Sequence, residues 1–377
     1  MGQEGETHQD AKMGIWVDMT PWLPPAISAG SRQHEKPPPI SFAANQFSRV
    51  STHSYPSIGS QSGSGRASSG TSNRMFILGM GYVGQFFAQQ LKQDGWVVTG
   101  TCKSIAKKKE LERMGLSVNL FDACDPKWES IQYLRNYTHL VVCVPPLLPV
   151  GDQILQHEEF LKSSLMGGDL QWLCYLSSTS VYGDSKGAWV DEDSPPNPTS
   201  TSAKLRLDAE EGWLRLGADL GLSTRVFRLG GIYGPGRSAI DTILKDEPFS
   251  DNRKKRLSKH YTSRVHVADI CQALKASTFA TTSRNIYNVV DDDPTSMAEV
   301  FAFSQKLIEK RWPGLVQEIV HPVTSDSSEE KSIPADEKRV SNARIKKELG
   351  VRLLYPSYRS GLQAILDRMV SPSGFKL

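Results

Sequence analysis

The residues best placed to do chemistry in this sequence are three glycines. Gly79-Met80-Gly81-Tyr82-Val83-Gly84 follows the apolar run Met75 to Leu78 and opens a stretch that puts Val83, Phe86, Phe87 and Leu91 on one helical face. At such a strand-to-helix junction each glycine has its own duty. The first permits the tight turn, the second lets a diphosphate reach bare main chain, and the third lets the helix lie close on the strand. The helix N-terminus adds free N–H groups and a partial positive charge. Dinucleotide binding is therefore expected at Gly79, Gly81, Tyr82, Val83 and Gly84, with Val144, at the end of a later apolar run, reaching the same ligand. An ordinary glycine-rich turn has the same spacing; the position at the first junction of a βαβ series favours the ligand.

The type of dinucleotide is read about 20 residues further on, where a carboxylate would take the ribose 2′-hydroxyl of NAD. Here that stretch is Thr101-Cys102-Lys103-Ser104, without an acid. A lysine and hydroxyls suit a 2′-phosphate, so NADP(H) is expected over NAD(H), although Lys103 would serve equally as a solvated residue at a helix start. Lys107, Lys108 and Lys109 read as a wet helix face. Asp122 could accept from the adenine amino group or cap the segment that follows it. Further along, Lys245, Arg253, Lys254, Lys255, Arg256, Lys259 and His260 lie between Arg237 and Arg264. Arg253 to Arg256 fits a solvated loop, whereas Arg237 and Arg264 are the candidates for an anionic substrate, a phosphate or a carboxylate.

These groups need a scaffold, and the pattern supplies one. Apolar strand-like runs at Met75 to Leu78, Trp96 to Thr101, Ser117 to Phe121, Leu140 to Val144, Trp172 to Leu176 and Thr224 to Arg228 alternate with helical stretches. That alternation predicts an α/β fold, a doubly wound parallel Rossmann sheet over 75–235. Helices over Val267 to Phe279, Ser296 to Lys310, Asn342 to Leu349 and Tyr358 to Met369 predict a smaller C-terminal substrate lobe over 236–377, with some return to the sheet. The ligand cleft is expected between sheet and lobe, at the carboxyl ends of the strands.

Residues 1–74 are expected not to fold. From Met19 to Arg74 the chain is rich in serine, proline and glycine, carries five arginines and lysines, and has Glu35 as its only acid. The composition fits a transit peptide for import into a chloroplast or other plastid, or an untargeted tail on a cytoplasmic protein; Glu4, Glu6, Asp10 and Asp18 weigh against import. Five cysteines without CxxC or Cys/His spacing argue against a disulfide framework or a zinc site, and no metal is expected. A net charge of +3 without stacking-aromatic motifs argues against nucleic acid, and no apolar run is long enough to span a bilayer.

From Met75 to about Leu366 the chain resembles the extended and atypical short-chain dehydrogenase/reductases of the NAD-dependent epimerase/dehydratase family. The landmarks are the Gly79 turn, Leu176-Ser177-Ser178-Thr179-Ser180-Val181-Tyr182-Gly183, Arg228 with Tyr233-Gly234-Pro235-Gly236, Val265-His266-Val267-Ala268-Asp269 and Tyr287-Asn288-Val289, in the family's order. The resemblance implies that Ser178, four places before Tyr182, holds the substrate oxygen. Thr179 and Ser180 replace the dehydratases' Asp-Glu pair, so a sugar-nucleotide dehydratase is disfavoured. The family's acid is a tyrosine four residues before a lysine. The resemblance places that lysine at Lys204, as a ribose-holding and catalytic cation, and the tyrosine position then holds Ser200. An aliphatic hydroxyl cannot become a comparable acid. Tyr182 is the candidate substitute, with packing of its turn as the plainer reading, and His266 reads as structural. The implied function is an NADP(H)-dependent oxidoreductase or epimerase-like enzyme acting on a small polar, anionic or sugar-derived metabolite. A catalytically impaired NADP(H) sensor is the rival. Family members pair through helices that would here include Ser202 to Leu216, so a homodimer is the implied assembly.

Overall fold

Period-two burial makes the first strand readable at once. In β1 (Arg74–Leu78), Met75 and Ile77 enter one core while Phe76 and Leu78 enter another, so both faces of the sheet are covered. The computed structural model describes residues 73–245, 257, 259–282, 284–316 and 337–370. Of the expected N-terminal segment, with its transit-peptide reading, residues 1–72 lie outside them, as do Arg253 to Arg256, while Arg74, expected to close that segment, is the first residue of β1.

β2 (Val97–Cys102), β3 (Ser117–Leu120), β4 (His139–Val142), β5 (Trp172–Ser178), β7 (Ser223–Leu229) and β10 (Ile286–Val289) complete a seven-stranded sheet in the order β10-β7-β5-β4-β1-β2-β3. Every pairing is parallel. This is the doubly wound α/β arrangement, and the order reverses between β1 and β4, which opens a ligand crevice at their carboxyl ends. On one face α1 (Tyr82–Gln93) and α6 (Val267–Thr278) bury Val83, Phe87, Leu91, Ile270 and Leu274. On the other, α3 (Glu158–Leu165) and α4 (Thr201–Asp219) bury Leu161, Leu165, Trp213 and Leu216. Each such side chain contributes about 1.5–3 kcal/mol on leaving water. α2 (Ile105–Arg113) connects β2 to β3.

A smaller apolar cluster gathers Ile240, Ile243, Val300, Phe301, Ile308, Leu362 and Ile365 from α5 (Ala239–Leu244), α7 (Met297–Arg311) and α9 (Tyr358–Arg368). Two short parallel pairs complete the strands: β8 (Gly231–Tyr233) with β9 (Arg264–His266), and β6 (Trp189–Val190) with β11 (Arg339–Val340). α8 (Ala343–Leu349) packs beside β10.

The strand expected over Leu140 to Val144 ends at Val142, because Pro145 and Pro146 follow and cannot donate to a ladder. β5 runs two residues beyond the expected Leu176, carrying Ser178 to the carboxyl end of a central strand. β10 has too short an apolar run to be read alone and is a strand through its pairing with β7. Among the described residues, no helix is long and apolar enough to cross a membrane.

Candidate functional site

The glycine turn is tied to the end of β2. Gly79 N donates to Thr101 Oγ1 at 2.9 Å and Met80 N to Thr101 O at 2.7 Å. Gly79 takes φ +99°, a conformation open chiefly to glycine, and a methyl group there would press on Val144 Cγ2 at 3.0 Å. Val144 thus flanks the turn across the crevice. A methyl group on Gly84 would lie 2.6 Å from Gly79 O, so the third glycine sets how closely α1 approaches β1. Gly81 differs: a methyl group there would meet nothing within 4 Å. α1 begins at Tyr82 with no side-chain cap and no acid in its first turn. Bare main chain, open space and an uncapped helix start fit the diphosphate of a dinucleotide.

At the end of β2, Lys103 Nζ lies 3.1 Å from Asp122 Oδ2 in an exposed ion pair. Asp122 also accepts from Cys124 N at 3.0 Å, and that bond, with Lys103 second, holds its carboxyl below the usual range. Asp122 therefore caps the segment after β3. Ser104 caps α2 through Lys107 N. Lys107 and Lys108 pair with Glu110 and Glu112 along the exposed helix face.

The carboxyl ends of β4, β5 and β7 and the smaller lobe enclose a cleft of about 920 Å³, lined among others by Gly81, Ser178, Ser180, Arg206, Arg237 and Tyr233. Ser178 ends β5 and accepts from Ser180 N at 3.2 Å, which turns the following residues into a short 3-10 helix and keeps a row of hydroxyls on the cleft floor. Beneath that floor, Ser177 Oγ donates to Glu210 Oε1 at 2.5 Å, and Arg228 grips both oxygens of Glu210, Nη2 to Oε2 at 2.7 Å. Both ion-pair side chains are almost wholly buried.

α4 brings a different cation to the cleft from the one expected. Lys204 is exposed and does not line the cleft; Arg206 does and is half-buried. Two residues on an α-helix are about 200° apart, so both cannot face the same wall. Arg206 stands one turn before Glu210, the buried residue that fixes which face of α4 looks inward. Counting four residues back from Arg206 leads to Ser202, again not a tyrosine. Ser200 caps α4 by accepting from Ala203 N at 3.2 Å.

Tyr182 does not line the cleft. Its hydroxyl donates to Asn288 Oδ1 at 2.8 Å, its ring lies under Arg228, and burial raises its phenol. Its placement is that of a packing residue, and a catalytic role for it has no geometric support. His266 is fully buried, caps α6 by accepting from Ala268 N, and is held down to about 3 by burial, so it stays neutral at pH 7. Arg264 lines the cleft but is 5% exposed and spends its donors on Asp293 O, Thr262 O, Thr262 Oγ1 and Thr295 O. Arg237 is exposed at the cleft wall, with its guanidinium carbon 5.4 Å from the centre of the Tyr82 ring. Three cleft phenols, Tyr82, Tyr233 and Tyr358, are pushed up by burial. Glu210 and Arg206 were not singled out from sequence; the signal was their four-residue spacing on one helix.

No protein-family model matches the sequence. Over 225 residues, 57% of this chain, it is 30% identical to Protein YeeZ of Escherichia coli K12, of which it covers 77%. The structure of a functionally unknown conserved protein from Silicibacter pomeroyi DSS is 31% identical, with a TM-score of 0.62 over 78% of this chain and 99% of that one. The UDP-glucose 4-epimerase of Thermus thermophilus, solved with NAD, shares the fold at 19% identity and a TM-score of 0.62, over 78% of this chain and 98% of its own.

Proposed function

Because the chain belongs to the NAD-dependent epimerase/dehydratase family, we propose that it is a nicotinamide-dinucleotide-dependent, epimerase-like oxidoreductase working in the cleft between sheet and lobe. The observation that carries this reading is the glycine turn, where Gly81 leaves open space in front of an uncapped helix. A dinucleotide held there supplies a nicotinamide that gives or takes hydride. The chain's own residues do the rest: the turn and α1 bind the diphosphate, Ser178 donates to the reacting oxygen of the substrate, and the Ser177–Glu210–Arg228 network keeps Ser178 in register.

A small polar, anionic substrate is supported by the cleft's charge. Arg206 and Lys245 line it, and among the described residues no carboxylate lies within ion-pairing distance of either. In this reading Arg206 replaces Lys204 as the α4 cation. NADP(H) is favoured by the missing acid at the end of β2 and by the exposed Lys103, whose surface pairing with Asp122 is weak enough for a 2′-phosphate to displace. The test is a metabolite screen that follows nicotinamide absorbance, run beside Ser178→Ala. Turnover that survives this substitution unchanged removes Ser178 from its role.

A second reading, an NADP(H)-binding protein without turnover, is favoured by two observations. Ser200 and Ser202 stand where the two spacings put the family's acid, and the Tyr82 and Tyr233 phenols are raised by burial instead of lowered toward neutrality. Saturable nucleotide binding with no turnover across the screen would select it.

A further inference from the structure

Arg237, a substrate-side cation by sequence, lies in the structure against the first residue of α1. It closes a tight loop in which Gly234 N donates to Arg237 O at 3.1 Å and Arg237 N to Gly234 O at 3.0 Å. The loop is pressed onto the glycine turn: Tyr82 Oη donates to Pro235 O at 3.0 Å, and a methyl group on Gly234 would lie 2.5 Å from Tyr82 Oη and 2.7 Å from Val267 Cγ1. Tyr82 directly follows Gly81, so the guanidinium above its ring shares the neighbourhood of the α1 N-terminus. Two positive features side by side repel until an anion comes between them. The other charged group acting on Tyr82, Asp241, is buried, accepts the Ser238 hydroxyl, and is held above the usual carboxylate range by burial. It is poorly placed to neutralise Arg237, and among the described residues no carboxylate pairs with that guanidinium.

We propose that Arg237 binds the diphosphate of the dinucleotide from the lobe side, opposite the main-chain donors of the glycine turn. A planar guanidinium offers two parallel donors to phosphate oxygens, which a neutral loop residue could not. The loop leads straight into α5, whose Ile240, Ile243 and Leu244 belong to the lobe's apolar cluster. The cofactor therefore forms part of the wall that the substrate meets. This inference rests on the dinucleotide reading of the glycine turn.

The test is a calorimetric titration of NADH, NADPH and ADP-ribose into the full chain, its Arg237→Ala and Arg237→Lys variants, and Lys204→Ala. Because a charge-assisted hydrogen bond contributes about twice as much as a neutral one, Arg237→Ala weakens all three ligands about tenfold or more. Their shared group is the diphosphate: ADP-ribose has no nicotinamide, and only NADPH carries the 2′-phosphate. Arg237→Lys keeps part of the affinity, which separates lost charge from a damaged fold, and Lys204→Ala changes nothing. Unaltered affinities in Arg237→Ala, or a loss confined to NADPH, overturn the proposal and leave the cofactor reading standing. Failure of the unmodified chain to bind any of the three overturns that reading as well.

Discussion

Replacing Glu210 by glutamine removes one negative charge from beneath the cleft floor and almost no volume. In the native chain, Glu210 and Arg228 side chains are 2% and 3% exposed, and the carboxylate also accepts the Ser177 hydroxyl. Among the described residues, Arg228 ion-pairs with no second acid, and its Nη1 already lacks a hydrogen-bond partner. An uncompensated buried guanidinium of this kind costs about 3–5 kcal/mol. Taken with about 2–4 °C per kcal/mol for a domain of this size, Glu210→Gln should lower the melting temperature by roughly 6–20 °C. Urea unfolding followed by circular dichroism measures the free energy directly. The double variant Glu210→Gln/Arg228→Met, which removes both charges, should recover most of the loss, because an apolar pair of similar volume replaces an ion pair at little net cost. A loss below about 1 kcal/mol in the single variant, the scale of an exposed pair such as Lys107–Glu110, would refute the view that this network supports the floor.

Four further outcomes follow. Asp291 is buried, its Oδ2 has no hydrogen-bond partner among the described residues, and burial pushes it up to about 8, so the folded state holds a proton that the unfolded chain has released. Stability should therefore fall by about 1–2 kcal/mol between pH 6.5 and 8 and level off above, and Asp291→Asn should flatten that slope in pH-dependent unfolding. The window avoids His139 and His266, depressed to about 4 and 3 by burial, whose effect appears below their unfolded value of 6.5. Gly84→Ala forces a methyl group against Gly79 O and should cost about 1–3 kcal/mol and weaken dinucleotide binding together, as read by melting with and without ligand. Lys103→Glu should turn a preference for NADPH into one for NADH in paired titrations; equal loss of both would remove Lys103 from cofactor selection. Arg206→Ala should abolish turnover or anion-dependent stabilisation that Lys204→Ala leaves intact, and the reverse pattern would restore Lys204 to the site.

The parts of the structure that could be read in the sequence are those governed by local periodicity. β1, β2, β3 and β7 announce themselves as apolar runs, and α1 by its four-residue apolar spacing, because strands covered on both faces and helices packed on one face leave these patterns. The glycine turn was legible because main-chain geometry there excludes a Cβ at Gly79 and Gly84. What was hidden depended on pairing at a distance. β10 is a strand only beside β7. Arg206, not Lys204, faces the cleft because Glu210 is drawn inward by Arg228, 18 residues away in the chain. Tyr182 points away from the cleft because Asn288, 106 residues on, takes its hydroxyl. Arg237 and Arg264 looked equivalent in sequence; burial among carbonyls sets Arg264 apart from Arg237, which is exposed beside the Tyr82 ring.

The most direct test of the account is nucleotide binding by the unmodified chain and by Gly81→Asp. Gly81 has φ −75°, which any residue adopts, so the aspartate fits the fold while its charge occupies the space in front of α1. NADPH or NADH at about 100 times its dissociation constant should stabilise the unmodified chain by about 2.7 kcal/mol and leave Gly81→Asp unshifted, with both proteins melting alike in the absence of nucleotide. Equal stabilisation of the two, or none of the unmodified chain at millimolar nucleotide, would contradict a diphosphate site at this turn.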